Sequence, residues 1–87
     1  MTLSNSAWRQ VVERVVKSEM SVRGVKYQAL SDRLAEIGVV QSADNLRNKI
    51  NKGIMGADLF MQILSVLNAR PLTAEAIQEI LDDIAKG

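Results

Sequence analysis

A chain of 87 residues with 47% hydrophobic and 24% charged content suits one folded domain spanning residues 1–87, not a disordered tail or a multidomain protein. It has no cysteine and no histidine. That excludes disulfides, thiolate and imidazole metal sites, and Cys/His or Ser/His nucleophile pairs, so neither a cofactor, nor a metal, nor enzymatic activity is expected.

The net charge of +1 conceals an asymmetry. Residues 1–52 hold nine Lys and Arg against five Asp and Glu, whereas residues 53–87 hold two against five. A basic face at one end and an acidic face elsewhere fit this distribution. The acids themselves sit at helix positions typical of solvated faces, with no close pair in an apolar setting.

Taken in chain order, Trp8, Val11, Val12, Val15, Val16 and Met20 repeat at the i, i+3, i+4 spacing of one helical face. They predict a first helix over about 6–22, capped by Ser4 or Ser6 and stopped at Gly24. Tyr27, Leu30, Leu34 and Ile37 predict a second helix, with Gly38 where a left-handed residue is needed and Val39-Val40 as an apolar connector. Ser42 caps a third helix that Gly53 closes, and Asp44 in its first turn complements the helix dipole.

Leu59, Phe60, Ile63, Leu64 and Leu67 form the most apolar helix, the expected centre of the core. At nine residues, broken by Gln62 and Ser65, the run Leu59 to Leu67 is far short of the ~20 that a membrane span requires. Pro71 interrupts the chain, Thr73 caps, and Ala76, Ile77, Ile80, Leu81 and Ile84 stripe a fifth helix over about 73–86 with an acidic outer face. No segment alternates as a strand would. The opening M-T-L-S-N-S has neither the basic nor the apolar region of a secretory leader, and a cytoplasmic location is expected.

Five short helices with brief connectors predict an all-α bundle with its core over about 6–70. The third helix stands apart. It carries Leu46 and Ile50 on one narrow stripe and surrounds them with Asn45, Arg47, Asn48, Lys49, Asn51 and Lys52. Arg and Lys pair with guanine and phosphate, Asn pairs with adenine, and Asn is too poor a helix former to accumulate there without reason. A sequence-preferring contact to duplex DNA is the expected function. The alternative is a protein-interaction module built on the same scaffold.

Several residues carry a resemblance: Gly24-Val25, Leu30 and Leu34, Gly38-Val39, Ile50-Asn51-Lys52-Gly53, and the apolar run Leu59 to Asn68. Together, over about residues 10–70, they resemble the phage-repressor helix-turn-helix domain, the Cro and lambda-repressor-like class. The segment N-L-R-N-K-I-N-K-G also resembles small bacterial domains of unknown function with an N-L-R-x-K-I-x-x-G core. The repressor resemblance implies a small bacterial or phage transcriptional regulator. It would make Ser42 and Asn45 early recognition-helix contacts and turn Arg47, Asn48 and Lys49 toward bases or flanking phosphates. Lys52 would reach the backbone, and Lys26 and Gln28 would clamp a phosphate at the start of helix two.

The chain departs from that class at Tyr27, where a Gln is common, and at Ser31, which replaces a small Ala. Tyr27 is read either as a core aromatic with its hydroxyl at the rim or as a phosphate contact. Ile77, Ile80, Leu81 and Ile84 are read either as packing on the other helices or as the interface of a homodimer, which a half-site reader often needs.

Overall fold

A computed structural model describes residues 4–87, so Met1, Thr2 and Leu3, part of the segment behind the expectation of no leader, lie outside the described residues. Five helices and no strand make up the described chain: α1 Asn5–Arg23, α2 Tyr27–Glu36, α3 Ala43–Lys52, α4 Ala57–Val66 and α5 Ala74–Ala85. Ser4, not Ser6, caps α1, its hydroxyl accepting from the Ala7 N–H at 3.3 Å. Thr73 does the same for Ala76 at the head of α5, at 3.1 Å. Among the described residues no helix is long and apolar enough to cross a membrane.

The main core joins Val16 and Met20 of α1, Leu30 and Leu34 of α2, Leu46 and Ile50 of α3, and Leu59 and Ile63 of α4, with Val25 and Leu67 from the connections. Burying each of the larger side chains contributes about 2 kcal/mol. A Val inside a helix costs only about 0.6 kcal/mol, so packing readily sustains the valine-rich α1.

A second, smaller cluster forms where Val11 and Val15 of α1 meet Leu81 of α5, flanked by Phe60, Leu64, Ile77, Ile80 and Ile84. Two clusters laid along one 19-residue helix explain the elongated shape, 41 × 22 × 20 Å. Leu81 is 4% exposed and the three isoleucines are partly buried around it. The apolar stripe of α5 thus packs on its own α1, with Phe60 and Leu64 of α4 at the border of the cluster.

Three expectations about individual side chains are corrected. Trp8 is half exposed, and Ala7 takes the buried position beside it. Ile37 lies past the last turn of α2 and is also about half exposed, while Val40 is almost wholly in solvent. Glu19, one of the acids expected on a solvated face, is buried.

That carboxylate is fully engaged. Its Oε1 accepts from both the Arg70 backbone N–H and the Arg70 Nε, each at 3.1 Å, and its Oε2 accepts from Arg23 Nη1 at 2.6 Å. Arg23 also donates to the Asn68 carbonyl at 2.9 Å. The chain leaving α4 is therefore held against α1 by charge-assisted hydrogen bonds.

Candidate nucleic-acid interface

Helix α3 packs against α1 and α2 through a narrow stripe. Only Leu46 and Ile50 are buried; at about 100° per residue they define one edge, and Asn48 falls almost directly opposite. Asn45, Asn51 and Lys52 share that outward side and are exposed. Arg47 and Lys49 lie on the two borders, Arg47 toward α2 and Lys49 toward the α2–α3 connection. The sequence-predicted residues of α3 thus come together on one continuous solvent face.

The ends of α3 are defined by local chemistry. Ser42 Oγ accepts from the Asn45 N–H at 3.1 Å, so Ser42 is a cap first, with the rest of its hydroxyl exposed. Gly53 closes the helix at φ +64°, and its N–H returns to the Ile50 carbonyl. A chain of side-chain bonds sets the approach from α2. Ser31 Oγ donates to the Gln41 carbonyl at 2.6 Å, and Gln41 Oε1 accepts from Lys49 Nζ at 3.2 Å. Ser31, a departure from the phage-repressor pattern, thereby ties α2 to the segment that launches α3.

Between the heads of α2 and α3 lies an open groove of about 880 Å³, whose lining includes Lys17, Lys26, Tyr27, Ser42, Asp44 and Arg47. Both helices begin at this groove, so both present the positive end of the macrodipole to it. Lys26 occupies the N-cap of α2 without a capping side chain, which leaves first-turn N–H groups free to bind an acceptor.

The charges in and around the groove divide into free and paired. Among the described residues Lys26, Lys49 and Lys52 form no ion pair, and Lys17 pairs with Glu13 at 2.7 Å. The hydrogen bond to Glu13 raises the pKa of the Lys17 ammonium against the lowering effect of burial, so it stays cationic. Arg47 Nη1 pairs with Asp44 Oδ1 at 2.6 Å, and the Arg47 guanidinium lies over the Tyr27 ring, 5.3 Å from its centroid. Gln28, expected to clamp a phosphate, donates to Asp32 at 3.0 Å in the free protein. Arg33 points away, donating to the Val66 carbonyl at 3.3 Å.

Tyr27 packs on the rim of the main core, half-buried, with the Arg47 guanidinium over its ring. Met55, in the loop between α3 and α4, is packed on the same core. The Tyr27–Arg47 contact and the Asp44–Arg47 pair join residues 20 and 3 positions apart, and only the second has a spacing that sequence could have flagged. Among the described residues no cluster of side chains suited to a metal ion occurs.

Fold and site together define a small all-helical domain that presents one polar helix and an adjoining cationic groove to solvent. Residues 8–72, about three-quarters of the chain, match the model of a family described as a domain of unknown function, DUF6471, and the chain belongs to that family. Helix α5 lies beyond the matched segment. No curated protein and no solved structure matches the chain.

Proposed function

We propose that the protein binds duplex DNA through α3, as a helix-turn-helix regulator of the phage-repressor type with α2 as the supporting helix. The observation that carries this reading is the solvent face of α3. A helix held by two side chains turns three asparagines and a lysine outward, beside a groove where two helix N-termini meet Lys17 and Lys26. Amides suit base edges, and cations with helix N-termini suit the phosphates on either side.

The test is a mobility shift with mixed-sequence duplex across a salt series. Arg47→Ala combined with Lys49→Ala is expected to weaken binding to every duplex by about tenfold or more at low salt and to flatten the salt dependence. Asn48→Ala is expected to lower the preference for a selected site over random duplex by about tenfold, with a smaller effect on general affinity. Equal low-salt binding by the double variant and the parent would remove α3 as the reader.

A second reading is favoured by the pairs Arg47–Asp44 and Gln28–Asp32, which neutralise or occupy part of the basic face. On that reading the same surface docks another protein. A folded parent that binds no duplex even at low ionic strength would select it.

A further inference from the structure

We propose that Asp44 is an intramolecular stand-in for a DNA phosphate on Arg47, and that Tyr27 is the seat that holds the Arg47 guanidinium in place in the free and the bound protein. The inference rests on the DNA-binding reading and adds to it a built-in control of affinity.

Three observations carry it. Asp44 places a carboxylate oxygen 2.6 Å from Arg47 Nη1, inside a groove that Lys17, Lys26 and the heads of α2 and α3 make favourable to anions. The pair is in contact with water, with side chains 50% and 85% exposed for Arg47 and Asp44, so it is weakly held and open to exchange. The Arg47 guanidinium also sits over the Tyr27 ring, its Cζ 5.3 Å from the centroid, so the ring and the carboxylate hold the same cation at once.

Carboxylate and phosphate both seek the N–H edge of Arg47, because guanidinium donates in its plane. An incoming phosphate therefore competes with Asp44. It does not compete with Tyr27, whose π-face is no anion and attracts the cation whichever anion is present. Asp44 and Tyr27 touch the same side chain and are required to affect binding in opposite directions.

Affinity for a labelled mixed-sequence duplex, measured by fluorescence anisotropy over a KCl series, tests this. Asp44→Asn is expected to bind about fivefold tighter at low salt, because Arg47 no longer has to give up a carboxylate to take a phosphate. In an Arg47→Ala background the same change is expected to yield less than about twofold. Tyr27→Phe should bind as the parent does, and Tyr27→Leu, which keeps apolar bulk without the π-face, should bind about threefold more weakly.

A gain from Asp44→Asn that persists undiminished without Arg47, or no gain at all in a parent that binds duplex, overturns the stand-in and leaves DNA binding untouched. Equal binding by Tyr27→Leu and the parent removes the seat. A folded parent that fails to bind duplex removes both this inference and the reading beneath it.

Discussion

Replacing Glu19 by alanine is expected to cost about 3 kcal/mol and to lower the melting temperature by roughly 15 °C, a large shift because a domain this size has a small unfolding entropy. The loss does not come from helix propensity, since alanine is the better helix former at an interior position of α1. It comes from the two arginines and one backbone N–H that share the carboxylate. The Arg70 N–H is left without its acceptor, and the link between α1 and the α4–α5 connection opens. Thermal unfolding followed by circular dichroism measures it; a loss under about 1 kcal/mol would show that water replaces Glu19 without difficulty.

The same group makes a pH prediction. Burial pushes the Glu19 carboxyl up, but hydrogen bonds from the Arg70 side chain and backbone, with the charges of Arg23 and Arg70, outweigh burial and hold its pKa below the ordinary 4.5. A depressed folded pKa means that the unfolded chain takes up the proton first as pH falls. The stabilisation is thus complete above about pH 4.5 and is lost as pH drops through the lower, folded value. Glu19→Gln should make unfolding free energy less dependent on pH in this acid range, by urea titration at successive pH values.

Gly53→Ala is expected to be at least as damaging, at about 3–4 kcal/mol, because two costs coincide. Its φ of +64° puts any Cβ in the left-handed region, at about 1 kcal/mol. An added Cβ would also lie 2.7 Å from the carbonyl carbon of Arg9 and closer still to its oxygen. That neighbour is the backbone of α1, which cannot rotate aside, so α1 and α3 must separate. Gly24 isolates the first cost, having the same φ of +64° with nothing within 4 Å of an added Cβ. Gly24→Ala should lose only about 1 kcal/mol. Equal losses at the two positions, measured by urea denaturation, would show that the α1–α3 contact yields freely. The close approach at Gly53 also matters for the proposed reader, since it sets the height of the C-terminal end of α3 above α1.

These two residues show where sequence reasoning stops. Gly53 was legible as a helix stop, because glycine after a polar helix signals a left-handed cap. Its contact with Arg9 was not, since nothing in local spacing says which backbone will pass 44 positions away. Glu19 lies among valines and a methionine but follows Lys17 and Ser18, a pattern shared with solvated acids. Its burial depends on Arg70 arriving from the far side of α4. Trp8 and Ile37 failed for a related reason. Periodicity identifies a face, but at the end of a helix no neighbouring element covers that face.

The face of α3 fared better. Leu46 and Ile50 were legible as its stripe, and a helix with only two apolar anchors must expose the rest whatever it packs on. What remained hidden was how each charge is used. Arg47 is held by Asp44 and Tyr27, Gln28 by Asp32, and Arg33 is turned toward α4. These side chains are long enough to choose among several partners, and the choice is set by where helices cross.

By itself, then, the sequence determined the helical class, the five elements with their glycine and hydroxyl boundaries, and the polar character of α3, because helix periodicity and capping act over at most a few residues. Only the tertiary structure decided that α5 spends its stripe on α1, that Glu19 is a buried tie, and that the heads of α2 and α3 share one groove with Arg47 held across it. Those features join residues tens of positions apart, and their energies exist only once the helices have met.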